Sequence, residues 1–130
     1  MKIDLVKLLQ AAGERTRLRL LNLIAANDVC VCYFVEVLGE PQPKISRHLA
    51  YLRRAGLVRA RREGKWMHYS LVRPADDRVA RVLDAVLAAA ATDRQLQRDR
   101  MAFDRTCCAT RLPAPLQNAP RPVPIAALAE

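Results

Sequence analysis

Pro43-Lys44-Ile45-Ser46-Arg47-His48-Leu49-Ala50-Tyr51-Leu52 is the stretch that decides how this 130-residue chain folds. Ile45, Leu49 and Leu52 recur at i, i+4 and i+7, so a helix here buries one face and spreads Lys44, Ser46, Arg47, His48 and Tyr51 toward the other side. Pro43 suits the first turn of that helix, where its missing N–H costs nothing. Upstream, Cys32 to Leu38 reads as a short helix, with Gly39 at the position that favours a left-handed cap. Glu40-Pro41-Gln42-Pro43 makes the tight connection, because proline fixes φ and discourages helix in the residue before it. Short helix, turn, helix is the arrangement that sets the second helix into the major groove of DNA.

Working outward, Leu57 to Arg61 and Trp66 to Leu71 read as two strands joined by Arg62-Glu63-Gly64-Lys65, a hairpin whose basic tip suits a wing lying on the DNA backbone. Cys30 and Val31 look extended. Toward the N-terminus, Ile3 to Ala12 carries an apolar stripe of Leu5, Leu8, Leu9 and Ala12, and Thr16 to Ala26 carries Leu20, Leu21 and Ile24, so two helices are expected before the Asn27-Asp28 break. Asp76 to Arg100 is the longest helical stretch, with Val79, Val82, Leu83, Val86, Leu87 and Ala90 along one side. So long a stripe needs cover, and the first helix together with a second copy of the chain would supply it, giving a homodimer with two recognition helices. The fold class is therefore mainly α with a small β-hairpin, a winged helix-turn-helix over residues 1–110 that binds DNA and dimerises. Five of the eight prolines fall between Pro113 and Pro124, so residues 111–130 read as a disordered tail.

Charge agrees with this layout. Between Pro41 and Arg73 nine basic residues face the single acid Glu63, a surplus of +8 in a chain whose net charge is +9. Excess concentrated in this way is the footprint of a surface that neutralises phosphates. No run of about 18 uncharged apolar residues occurs and the N-terminus lacks the pattern of a signal peptide, so the expected setting is the cytoplasm, without membrane attachment. Four cysteines in that compartment read as reduced thiols rather than a disulfide framework. No Gly-rich phosphate loop, paired carboxylates or nucleophile-base motif stands out, so an enzyme is not expected.

Val29-Cys30-Val31-Cys32, the run from Ser46 to Val58, Arg62-Glu63-Gly64-Lys65-Trp66 and Thr16-Arg17-Leu18-Arg19-Leu20-Leu21 together resemble the ArsR/SmtB repressors over roughly residues 5 to 100. The resemblance implies a homodimeric winged-helix repressor that leaves double-stranded operator DNA when a metal or metalloid binds. It implies base-edge or phosphate roles for Gln42, Lys44, Ser46, Arg47 and His48, with Tyr51 on the same side and Arg62 and Lys65 meeting phosphates. The chain departs from many relatives in carrying Pro41 where a serine would cap the recognition helix, leaving Gln42 as the nearest polar candidate.

The same resemblance places the inducer on the Cys30-x-Cys32 pair at the head of the helix-turn-helix. Arsenic sensors of this kind often add a third cysteine one turn on, but Tyr33, Phe34 and Val35 follow here. Cys107 or Cys108 could supply the missing thiolate. With no constitutive cofactor, the expected ligand is trivalent arsenic or antimony on Cys30, Cys32 and one of Cys107 or Cys108. Methylarsenite needs only two thiolates, and cadmium, lead or zinc would suit a four-thiolate set. His48 and His68 both lie in the DNA-binding unit, which argues against a histidine-carboxylate metal site on the long helix. A thiol redox switch and an unregulated architectural DNA binder remain as alternatives.

Overall fold

The computed structural model describes residues 3–25 and 27–124. Six helices surround a narrow antiparallel sheet. α1 (Leu5–Ala12) and α2 (Arg15–Ile24) open the chain, each started by a carboxylate in extended conformation: Asp4 accepts from the Lys7 backbone N–H at 2.8 Å and Glu14 from that of Arg17 at 2.9 Å. Such caps satisfy donors that the first turn leaves without partners. β1 (Asn27–Cys30) leads into α3 (Val31–Leu38), so Val31, expected as extended, is the first helical residue and Cys30 the N-cap. Gly39 ends α3 with φ 66°, donating to the Val35 carbonyl. This is the left-handed cap expected from the sequence.

α4 (Gln42–Arg54) is the helix expected to serve as the recognition helix, and Ile45, Leu49 and Leu52 are all fully buried. No side chain caps it. The Pro41 carbonyl accepts from the Lys44 and Ile45 N–H groups, both at 3.1 Å, and Gln42 becomes the first helical residue rather than its cap. β2 (Val58–Glu63) and β3 (Trp66–Leu71) pair from Val58 opposite Leu71 to Glu63 opposite Trp66. β2 thus starts one residue later and ends two later than expected, β3 spans the expected residues, and Gly64, at φ 59°, takes the turn.

The hairpin is not alone. β1 pairs with β3, setting Val29 against Tyr69 and Cys30 against His68, and β4 (Val123–Pro124) pairs with the far edge of β1, giving the order β2-β3-β1-β4.

Two expectations need correction. The helical stretch from Asp76 to Arg100 is broken into α5 (Asp77–Ala90) and α6 (Arg94–Cys108). The Asp93 carboxylate accepts from the Gln95 and Leu96 N–H groups, a cap that starts a new helix and outcompetes continuation of the old one. The tail, read as disordered from its prolines, is ordered through Pro124. Leu116 is fully buried in the core cluster and Ala119 nearly so, while Arg121 donates to the Cys107 and Ala109 carbonyls at 2.7 and 2.8 Å. Proline removes a donor without preventing apolar anchors from docking. The last residues of the tail expectation, 125–130, lie outside the described residues.

The core gathers Leu8, Leu20, Leu21, Leu23, Ile24, Phe34, Ile45, Leu49 and Leu52, where α2, α3 and α4 meet. α6 packs on α2 and α3. Within the first helix, Leu8, Ala11 and Ala12 face inward, whereas Leu5, Val6 and Leu9 are 45%, 62% and 50% exposed. Among the described residues no helix is long and apolar enough to cross a membrane.

Candidate nucleic-acid interface and thiol site

The polar side of α4 is only partly free. Gln42, Ser46 and Arg47 stand exposed and Lys44 is half-exposed. His48 and Tyr51 are not turned wholly outward: Arg17 of α2 lies over the Tyr51 ring at 4.0 Å, and one of its nitrogens is 3.5 Å from His48 Nδ1. Arg17 is held there because it also donates to the Ala11 and Gln10 carbonyls, at 2.8 and 3.1 Å, which the end of α1 leaves without helical partners. One guanidinium thus staples α1 to the recognition helix, with a cation over an aromatic face adding to the hold. No periodic signal along the chain marks Arg17 for this role.

Arg53, Arg54 and Arg59 are exposed beside the helix and on the wing strand. At the wing tip, Arg62 donates to the Gly64 carbonyl at 3.0 Å and Lys65 lies 4.9 Å from the Trp66 ring centre, so both cations sit at the turn with their charges in solvent. Arg61 is committed elsewhere, forming a 2.6 Å ion pair with the buried Asp28 of β1. Gln42, Ser46 and Arg47 of α4, Arg53 and Arg54 at its end, and Arg59, Arg62 and Lys65 of the hairpin are thus exposed polar and basic side chains of this unit.

The thiols sit behind this face. Cys30 is fully buried and Cys32 half-buried; Cys30 is the N-cap of α3 and Cys32 lies in its first turn, and this helix packs directly on α4. Burial pushes the Cys30 thiol up to about 11, with the neighbouring Cys32 acting on it both through its backbone N–H, which favours thiolate, and through its own sulfur, which disfavours it. Cys107 is half-buried at the end of α6 and is likewise pushed to about 11 by burial, with Asp104 the next cause; Cys108 is exposed. Among the described residues no three His, Cys, Asp or Glu side chains converge as a metal-holding group. The structure therefore pairs Cys30 with Cys32 but does not draw Cys107 or Cys108 into one ligand set with them. His68 is 2% exposed inside the sheet, opposite Cys30.

One charged chain links α6 and α2 to the start of α4. Arg19 of α2 forks onto Asp99 of α6 at 2.7 and 3.0 Å and donates to the Leu38 carbonyl at 3.3 Å. It also lies 3.8 Å from Glu40, which holds Lys44 at 3.1 Å. Asp99, Arg19, Glu40 and Lys44 thus form a charged chain from α6 to the first turn of the recognition helix.

Residues 14–60 match the family model described as bacterial regulatory protein, arsR family. An uncharacterized helix-turn-helix transcriptional regulator of Methanocaldococcus jannaschii is 44% identical over 81 residues, covering 62% of this chain and 88% of the relative. The arsenical resistance operon repressor of Escherichia coli is 43% identical over 67 residues, covering 51% of this chain and 57% of that repressor. Among solved structures, HlyU from Vibrio cholerae matches with a TM-score of 0.55 and 32% identity, over 65% of this chain and 88% of its own.

Proposed function

The chain belongs to the ArsR family of bacterial regulatory proteins and is a DNA-binding transcriptional repressor, and on that premise we propose that its inducer is trivalent arsenic held by Cys30 and Cys32. The observation that carries this reading is the placement of two thiols at the start of α3, Cys30 as its N-cap and Cys32 in its first turn, on the helix against which the recognition helix rests. A ligand that bridges them acts on the end of the element that sets the position of α4.

The state of the thiols favours a metalloid over a divalent cation. Near neutral pH Cys30 is a thiol, since its value is pushed to about 11 by burial. A divalent cation must drive that proton into solvent, which weakens binding as pH falls. A trivalent arsenic hydroxide takes the thiol protons away as water. The raised value of Cys30 favours capture over a redox switch, because the thiolate is the form that oxidants attack.

The free repressor binds operator through α4 in the major groove and the wing on the backbone. A homodimer brings two such units together, and the exposed Leu5, Val6 and Leu9 of α1 supply an apolar face for the second copy. Arsenic capture shifts the dimer toward a form with lower DNA affinity. A coupling free energy of about 1.4 kcal/mol is enough for a tenfold loss.

The test is fluorescence anisotropy of the reduced protein on its promoter DNA, titrated in parallel with arsenite, antimonite, cadmium, lead and zinc. Release by arsenite that disappears in Cys30→Ser and Cys32→Ser, with DNA binding itself unchanged, supports the proposal. Release by cadmium or lead alone, or arsenite release that survives both substitutions, overturns it.

A further inference from the structure

Tyr33 follows Cys32 directly and is fully buried, yet among the described residues its hydroxyl is one of two buried side-chain polar atoms without a hydrogen-bond partner. Folded proteins rarely leave such a group unmatched, and the exceptions call for an explanation. Its ring meets Phe103 of α6 edge to face, with centroids 6.5 Å apart. Cys107 lies one turn beyond Phe103 on the same helix. A phenol is protonated near neutral pH, so the hydroxyl is a donor, and it is carried on α3 one residue after Cys32 and three after Cys30, with its ring against the helix that carries Cys107.

We propose that Tyr33 recognises oxygen on the inducer: a hydroxylated trivalent metalloid condenses with Cys30 and Cys32, and the Tyr33 hydroxyl donates a hydrogen bond to the one hydroxyl that remains. The inference rests on the two cysteines being the capture site. In the condensation two metalloid–oxygen bonds break and two metalloid–sulfur bonds form. Two waters leave with the thiol protons, and no oxidation state changes. The third oxygen stays because no third thiol converges with Cys30 and Cys32 among the described residues. The unmatched phenol then gains a partner only when ligand is bound. Bare divalent cations bring no such hydroxyl, so Tyr33 sets a preference for the hydroxylated class.

Methylarsenite provides the internal control, because two thiolates consume both of its oxygens. Equilibrium dialysis of the reduced full-length protein measures affinity for arsenite and methylarsenite in wild type and Tyr33→Phe, and native mass spectrometry weighs the adducts. Arsenite affinity should fall about tenfold in Tyr33→Phe, the worth of one hydrogen bond, while methylarsenite affinity holds within about twofold. The wild-type arsenite adduct should retain one hydroxyl and so weigh one water more than a three-thiolate adduct. Thermal unfolding of the free variant should occur at the wild-type midpoint or above, since an unmatched hydroxyl is gone.

Equal losses for both ligands, no loss for either, an adduct without its hydroxyl, or a destabilised free variant would each overturn the role of Tyr33. The thiol reading is judged separately: it fails if Cys30→Ser and Cys32→Ser bind methylarsenite as wild type does, and it stands if they lose it, whatever Tyr33→Phe shows.

Discussion

Removing the Asp99 carboxylate should be among the most damaging single changes outside the apolar core. The side chains of Arg19 and Asp99 are 10% and 7% exposed, and their fork closes at 2.7 and 3.0 Å. Asp99→Ala leaves the guanidinium buried with the Leu38 carbonyl at 3.3 Å and Glu40 at 3.8 Å. Deleting one partner of a buried pair costs about 3–5 kcal/mol, and Glu40, which is 26% exposed, holds the loss near the lower end. For a chain of this size, about 3 kcal/mol lowers Tm on the order of 10 °C. Urea unfolding at fixed protein concentration, in reductant, reads the change directly. Replacing both partners with apolar residues, Arg19→Met with Asp99→Leu, should recover most of it, because neither charge then needs a partner. A cost below about 1 kcal/mol for Asp99→Ala, or a double variant as weak as the sum of its parts, would refute the reasoning.

Other outcomes follow from the same geometry. Arg47→Ala should weaken operator binding by about 1–3 kcal/mol, equally with and without arsenite, when anisotropy is measured at one salt concentration. Leu116→Ala removes a fully buried anchor at a cost of about 2–5 kcal/mol; trypsin should then cut after Arg111 markedly faster, and an unchanged digestion pattern would mean that the tail is not docked. Cys30 alkylation by iodoacetamide should be slow at pH 7 and rise about tenfold per pH unit toward about 11, since a raised value keeps the thiol protonated below it. The same raised value stabilises the fold below the ordinary thiol range and is lost as pH climbs through about 11. A rate plateau by pH 9 would contradict the burial of that thiol.

The parts legible in the sequence were those set by neighbours along the chain. The i, i+4, i+7 spacing of Ile45, Leu49 and Leu52, the left-handed Gly39 and the hairpin turn at Gly64 are local features, and the structure has them at those positions. Pairing of β1 with β3 was not legible, because a strand as short as Asn27–Cys30 has no alternation long enough to announce a partner about 40 residues away. The break before α6 was signalled by Asp93, a good cap, but the charged run that follows has no strong apolar stripe to mark a second helix. The thiols could be found by spacing alone. What surrounds them could not: Tyr33 reads as a core aromatic until its hydroxyl is seen to lack a partner. Arg17 reads as one of many surface cations until it is seen gripping α1 and covering Tyr51.

The strand that completes the sheet is made last. Val123 pairs with Asp28, two residues before Cys30, so 95 positions of chain separate the partners. At synthesis rates of about 5–20 residues per second, β1 waits on the order of 5–20 s for its outer neighbour. A growing chain therefore carries β1, with Cys30 at its end, for that time before the neighbour of its outer edge exists. In the nascent protein the Asn27–Asp28 edge stands open, and in the finished protein Val123 and Pro124 close it.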